Sequence, residues 1–497
     1  ENKLVVNALF TDHMVLQQKE NVAFWGTYTP NKKITVRGSW GKESTCVSDN
    51  KGHWKLNVPT PEAGGPYQVS IATKTSRVLI KDVLIGEVWL ASGQSNMEMD
   101  FDYCCNTTDF SEYERTNANY PNIRMIKVKK QLSSTPVQEF EGSWKKAVGD
   151  SITPFSAAAY FFAKRLHKEL DIPIGIVHSS WGGTDIEAWT SREQLNTLDF
   201  LEDTMNVYDA LIEDSSKSYN WFSQFESIKS PSDVWYLFLE DPLGTPKKWE
   251  ELDFKDDKYI NSDAINHENW KPINVPGSID NIFETNDFDG VILIRKSFTL
   301  NEIKGDYSLR LGAVSDMDFT YVNGKQIGSS MGKISAKPKT YKIPKSHLKV
   351  GENTIIIRVI NQYKQGNVGE VSLLHSENPT ISLAGKWNYH VLAEAYNPID
   401  SYSWPYIDFY LYDKDSIDFS QRPAVTNYNQ NSKSSLFNGM ISPLVPYTIK
   451  GAIWYQGENN VPRFKEYEQL LPALISDWRN QWSNDFPFYF VQIAPFK

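Results

Sequence analysis

Three short segments carry side chains whose types and spacing suit acyl transfer. The first is Ser92-Gly93-Gln94-Ser95-Asn96-Met97, where Ser95 follows a long apolar run. A serine at the carboxyl end of a buried parallel strand sits where open α/β sheets bind ligands. Its own N–H would then face a developing oxyanion. The segment is not the G-x-S-x-G elbow, because Met97 stands where the second glycine belongs. Taken alone, such a serine is more often a helix N-cap than a nucleophile. The second segment is Ser180-Trp181-Gly182-Gly183-Thr184. Paired glycines let a backbone N–H approach a substrate closely, although an ordinary strand-to-helix turn uses them too. The third is Trp454-Tyr455-Gln456-Gly457-Glu458-Asn459-Asn460. Its amides can donate to an oxyanion without titrating, and its Asn residues equally suit a capped turn.

The elements that must position these residues follow from the hydrophobic pattern. Residues 82–91 (DVLIGEVWLA) and 172–178 (IPIGIVH) are nearly unbroken apolar runs, as strands buried on both faces require. Between them, residues 156–170 read as an amphipathic helix with Lys164, Arg165 and Lys168 on its polar face. After residue 385 the same texture returns: a strand at 449–455, a helix around 467–482 and a strand at 488–494. Strand, helix and strand in that order predict a parallel α/β sheet. All three polar segments follow its strands and should converge on one edge.

Two β-rich blocks flank or interrupt this pattern. Residues 22–25, 33–37, 53–58 and 67–72 alternate between turn clusters, which predicts an amino-terminal β-sandwich over 1–80. Residues 291–300, 307–311, 318–322 and 354–360 alternate again and predict a jelly-roll insert over 246–379. The α/β domain is then split into 81–245 and 380–497.

Composition limits the function. The 497 residues carry 51 Lys and Arg against 61 Asp and Glu, a net charge of −10. That balance argues against a nucleic-acid or anionic-membrane partner, which would favour a basic face. No apolar run approaches the ~18 residues of a membrane span. The chain begins at Glu1 with no basic-then-apolar leader, the expectation for a processed amino terminus. Three cysteines (Cys46, Cys104, Cys105) are too few for a disulfide framework and match no zinc spacing. Two packed thiols at Cys104 and Cys105 are expected, with a strained vicinal disulfide as the alternative.

GQSNM, WGGT and WYQGENN in this order resemble the SGNH-type carbohydrate esterases, specifically the sialate O-acetylesterase family. LFTDHMVLQ at residues 9–17 and LFNGMISP at 436–443 are similar to further family stretches. Trp270, Val275-Pro276-Gly277 and Tyr321-Val322-Asn323-Gly324 resemble a galactose-binding-like jelly roll. The resemblance implies a three-layer SGNH-hydrolase-like α/β domain and a serine esterase that removes O-acetyl groups from sialic acids. Acetylated xylan or another polysaccharide is the alternative substrate. A non-catalytic glycan-binding relative is the alternative class, favoured by 16 Trp, 25 Tyr and 25 Phe able to stack on sugars. The resemblance makes Ser95 the nucleophile. The N–H groups of Ser95 and Gly183, with Gly182 as substitute, form the oxyanion hole, completed by Gln456, which lies closest to the strand end, with Asn459 as runner-up. Gln94, Asn96 and Glu458 are candidates for substrate binding, and Arg192 and Arg463 for holding an anionic sugar. The chemistry calls for no metal and no organic cofactor, the partner is an O-acetylated glycan, and the implied location is periplasmic or secreted.

One departure from the family pattern concerns the base. The family uses a histidine in a carboxy-terminal D-x-x-H block, and residues 1–497 contain none. The expectation is that this block lies beyond Lys497. Of the eight histidines, His178 alone falls near the site edge, and it reads as a hydrogen-bonded structural residue rather than a substitute base.

Overall fold

One strand explains the change of texture near Asp82. In the computed structural model, Arg77–Gly93 is a single 17-residue strand that serves two neighbourhoods. The structure describes residues 3–101, 109–231, 249–261, 270–283, 288–331, 336–362, 366–376, 379–396, 407–414, 416–423 and 428–494. Cys104 and Cys105 lie outside them. Contacts divide the chain into two compact units, Glu1–Ala210 with Tyr428–Lys497, and Leu211–Asn427.

In the first unit, the early half of Arg77–Gly93 pairs antiparallel with Gly64–Ala72 and parallel with Val15–Gln17. Lys33–Gly38 and Lys42–Val47 continue the sheet on that side. A second, three-stranded sheet joins Val5–Val6, Asn21–Thr27 and His53–Pro59. The last of these alternates strictly between exposed and buried, as its sequence predicts. The break expected at residue 80 therefore falls inside one continuous strand. Buried Arg124 reinforces the crossing point. It donates to the carbonyl of His13 and to the Asp82 carboxylate at 2.9 Å, and Lys146 reaches Asp82 at 2.7 Å.

The late half of Arg77–Gly93 is the centre of the parallel sheet. Ile174–Ser180 lies on one side, followed by Asn119–Lys127, and Gly451–Tyr455 lies on the other, followed by Phe488–Phe490. All are parallel, and Trp144–Val148 closes one edge antiparallel. Ile174–Ser180 is buried throughout, as an all-apolar run in a parallel sheet should be. Helix Ala157–Leu170 begins at Ser156, whose hydroxyl accepts the Ala159 N–H, and stops at left-handed Asp171. Ser156 is thus a cap, not the first helical residue. Ala159, Tyr160 and Ala163 of this helix pack with Ala91, Ile176 and Ile453. The next residue along the strand, Trp454, packs instead on Trp478 of helix Phe464–Trp482, with ring centroids 5.6 Å apart. The final strand, Phe488–Phe490, is shorter than the 488–494 expected from its apolar run; the Val491 N–H still donates to Trp454 O at 2.9 Å, and residues 492–494 carry no strand.

The second unit is β-rich. An eight-stranded antiparallel sheet runs from Ser227–Lys229 through Asp408–Leu411, Gly385–Ala395, Gly290–Leu300, Gly351–Asn361 and Met317–Val322 to Lys325–Met331, with Lys271–Val275 pairing on the early part of Gly385–Ala395. A four-stranded sheet holds Tyr307–Leu311 between Lys339–Ile343 and Val371–His375. Ile292, Ile294, Leu309, Ile355, Ile357 and Leu373 share one core. Val291 and Leu293 enter a different cluster with Trp249, Phe254 and Phe319. Gly290–Leu300 is thus covered on both faces over its first half. The unit extends beyond the 246–379 expected of the insert, because Ser227–Lys229, Gly385–Ala395 and Asp408–Leu411 hydrogen-bond into its sheet. Among the described residues no helix is long and apolar enough to cross a membrane.

Candidate active site

The parallel sheet brings the three segments together at its carboxyl edge. Arg77–Gly93 ends in register with Gly451–Tyr455, where Gly93 pairs with Tyr455, and with Ile174–Ser180, where Gly93 pairs with Ser180. Gly93 has φ +141°, and a Cβ there would overlap the Tyr455 carbonyl oxygen. Only glycine allows the first and third segments to run this close. The Gln94 N–H then donates to Tyr455 O at 2.8 Å, and the Trp181 N–H to Gly93 O at 3.1 Å.

Ser95 opens a four-residue helix, Ser95–Glu98, with Gln94 at its N-cap. It is exposed, and its hydroxyl has no hydrogen-bond partner among the described residues. Gln94 and Asn96 face the third segment. Buried Gln94 accepts the N–H groups of Gly457 and Asn459 at 3.2 and 3.3 Å, and Asn96 donates to Glu458 at 2.7 Å. The other Glu458 carboxylate oxygen is buried with no partner among the described residues. Gln94 is therefore a strut beneath the third segment, while Asn96 and Glu458 form a polar pair beside Ser95.

The glycines differ sharply. The Gly182 N–H is taken by Glu98 Oε2 at 2.5 Å, and Glu98 in turn pairs with Lys130 at 2.5 Å. A Cβ on Gly182 would stand 3.0 Å from Glu98 Oε2 and 3.2 Å from Ser95 Oγ, so these groups crowd one point. Gly183 is exposed at φ +67° with nothing near its Cβ position. Its carbonyl accepts from Asn431 at 3.1 Å, while its N–H has no acceptor among the described residues. The amides of the third segment are already committed. Gln456 is buried, and its Nε2 donates to Thr184 O at 2.9 Å and to Asn460 Oδ1 at 2.7 Å. Both hydrogens are used, so in this arrangement Gln456 ties the third segment to the second. Asn459 is exposed and donates to Asp185.

Beneath the loops lies a buried charge network. Glu187 is fully buried and accepts from Arg463, from Lys433 at 3.1 Å and from Asn460 at 2.9 Å. Burial alone would raise its pKa; Arg463, Lys433 and Asn460 outweigh it and hold the carboxyl down at about 2. Arg463 also binds Asp185 and Glu466. Arg192 pairs with Asp209. The two arginines thus serve internal carboxylates. Sequence reasoning did not reach Glu98, Glu187, Lys433 or Asn431. Of these, only Glu98 left a signal, since it stands three residues after Ser95 on one helical turn.

His178 lies inside its strand, which runs on to Ser180 rather than ending at the histidine. Its Nε2 is 2.6 Å from Ser180 Oγ, and the ring is buried. Burial, then the nearby charge of Lys127, pushes its pKa down to about 3, so the ring is neutral at neutral pH. It is bonded to Ser180 and not to Ser95. Among the described residues no group of three or more His, Cys, Asp or Glu side chains is placed to hold a metal ion.

Comparison with known proteins matches this same region. Residues 85–228 fit the family model described as carbohydrate esterase, sialic acid-specific acetylesterase. The chain is similar to sialate O-acetylesterases over part of its length. The Mus musculus sialate O-acetylesterase is 34% identical over 202 residues, which make up 37% of this chain and 37% of that protein. The Homo sapiens sialate O-acetylesterase is 29% identical over 244 residues, 45% of this chain and 46% of that protein. The chain thus spans less than half the length of these curated relatives. Among solved structures, a carbohydrate acetylesterase from Xanthomonas citri is 20% identical, covering 98% of this chain and 60% of that one, with a TM-score of 0.49.

Proposed function

We propose that the chain carries the site of a serine esterase that removes O-acetyl groups from sialic acids. The observation that supports this reading is the exposed Ser95 hydroxyl, 3.2 Å from where a Cβ would stand on Gly182, next to exposed Gly183, whose N–H has no acceptor among the described residues. Ser95 Oγ attacks the acetyl carbonyl carbon, and the negative charge on the carbonyl oxygen is met by the N–H groups of Ser95 and Gly183. The sugar alkoxide leaves with a proton, and water then releases acetate from the acetyl-serine. The serine proton passes to a base, for which the family uses the histidine of a D-x-x-H block. With Gln456 committed to Thr184 and Asn460, Asn459 is the third-segment amide better placed to turn toward substrate, by exchanging its bond to Asp185. Asn96 and Glu458 are the polar groups proposed to meet the sugar's hydroxyls.

The same reading gives the fold its finer description. Helices Ala157–Leu170 and Phe464–Trp482 pack on successive residues of one strand, Ile453 and Trp454, which supports a three-layer SGNH-type domain. Two antiparallel sheets around a shared core support a jelly roll in the second unit. A periplasmic or secreted location accords with a glycan substrate.

The test is acetate release from O-acetylated sialic acid, with acetylated xylan in parallel, by wild type and Ser95→Ala. Release by wild type alone supports the serine mechanism, and the faster substrate names the sugar. Equal release by both proteins rejects it. Saturable glycan binding without release favours the binding-protein alternative.

A further inference from the structure

The carboxylate three residues after the nucleophile has a role that the acyl-transfer reading does not itself require. Glu98 Oε2 accepts the Gly182 N–H at 2.5 Å, while its other oxygen meets Lys130 Nζ at 2.5 Å. The Lys130 ammonium lies 5.0 Å from the centroid of the Trp181 ring, and Trp181 is itself buried. The first and second segments are therefore clamped through one residue, at side-chain exposures of 23% for Glu98 and 22% for Lys130.

Two consequences follow from the geometry. A peptide N–H can serve one strong acceptor, so Gly182 is removed from the choice of oxyanion donor. Gly183, at φ +67° and fixed through its carbonyl by Asn431, is left to present its N–H outward. The second consequence is electrostatic. Glu98 Oε2 and Ser95 Oγ lie 3.0 and 3.2 Å from the same point, so a bare carboxylate there would oppose the oxyanion that forms on the acetyl carbonyl oxygen when Ser95 attacks. Lys130 cancels that charge.

We propose that Glu98 is a positioning residue for the oxyanion hole, engaging the Gly182 N–H so that Gly183 faces the substrate, with Lys130 neutralising it. This rests on the serine esterase reading and names which glycine completes the site. The clamp predicts a pattern that a merely structural ion pair would not give. Glu98→Gln keeps an acceptor for Gly182 and loses only the charge that Lys130 neutralises. Glu98→Ala loses both. Lys130→Met leaves the charge unopposed, and the double variant Lys130→Met/Glu98→Gln removes the charge again.

The experiment measures kcat and KM for acetate release, together with amide exchange at Gly182 by NMR of glycine-labelled protein. Glu98→Ala should lower kcat roughly 10- to 100-fold at nearly constant KM, the size expected when a donor is misplaced by about an ångström. It should also speed Gly182 exchange at least about tenfold. Glu98→Gln should stay within about threefold of wild type in both readouts. Lys130→Met should lower kcat about tenfold, and the double variant should recover most of that loss. A Glu98→Ala protein with wild-type kcat, or with unchanged Gly182 exchange, overturns the proposal. So does a double variant no faster than Lys130→Met. If the full-length protein, with the D-x-x-H block included, releases no acetate, the esterase reading fails, and Gly182 exchange in Glu98→Ala against Glu98→Gln still decides whether the clamp exists.

Discussion

Replacing Glu187 by Gln removes the charge at the centre of the network beneath the loops while keeping the side chain's shape. Glu187 is fully buried and answers Arg463, Lys433 and Asn460 at once. Its pKa is held at about 2 against an ordinary value of 4.5. At ~1.4 kcal/mol per pH unit, that difference amounts to about 3 kcal/mol of folding stability at neutral pH. Removing one partner of a buried ion pair costs about 3–5 kcal/mol in general, so two routes give the same size. The sign follows from the depression. The contribution is complete above pH 4.5 and is lost as the pH falls toward 2, where wild type also becomes neutral at this position. Native-state hydrogen exchange on peptides covering residues 174–190 and 451–463 reads the effect locally. Glu187→Gln should lose roughly 10²-fold in protection at pH 7, and the gap to wild type should close as the pH approaches 2. Equal protection at pH 7, or a gap that persists unchanged to pH 2.5, would refute the electrostatic account of this network.

Other perturbations separate packing from chemistry. Gly93→Ala must push against the Tyr455 carbonyl from a backbone at φ +141°, so it should cost at least about 2 kcal/mol and lower Tm by several degrees. Gly183→Ala meets no atom within 4 Å and should cost only the ~1–2 kcal/mol of a left-handed alanine, leaving a folded protein. Matching Tm losses for the two variants would contradict this contrast. His178→Gln should keep acetate release within about tenfold of wild type, because the ring serves Ser180; a loss near 10³-fold would instead make His178 the base. Asp82→Asn strips the anion from buried Arg124 and from Lys146. It should cost about 2 kcal/mol in urea melts at pH 7, an effect that fades as the pH falls from about 4 to 2, where the carboxyl titrates.

Much of the site was legible because its motifs stand directly after apolar runs. Ser95, Gly183 and Asn459 are exposed just past the ends of buried strands, and it was the resemblance rather than residue types alone that singled out a nucleophile and donors there. What could not be read was how the loops use one another. Gln456 looked like a free amide, yet its hydrogens go to Thr184 and Asn460, a long-range choice with no sequence period. Glu98 and Glu187 look like surface charges until the sheet brings Gly182, Arg463 and Lys433 to them. The fold shows the same division. Alternation in His53–Pro59 and unbroken burial in Ile174–Ser180 were visible. The second pairing of Arg77–Gly93, with Ile174–Ser180 and Gly451–Tyr455, and the two-sided burial of Gly290–Leu300 depend on partners distant in sequence, so local pattern placed the boundaries elsewhere.

The central claim is that Ser95 forms the covalent intermediate at the meeting of the three loops. The most direct measurement is peptide mapping by mass spectrometry after treating wild type and Ser95→Ala with a fluorophosphonate, a reagent that phosphonylates an activated serine hydroxyl. The account predicts one adduct, on the peptide containing Ser95, formed faster than on any other serine and absent from Ser95→Ala. An adduct on a different serine, with acetate release persisting in Ser95→Ala, would contradict it.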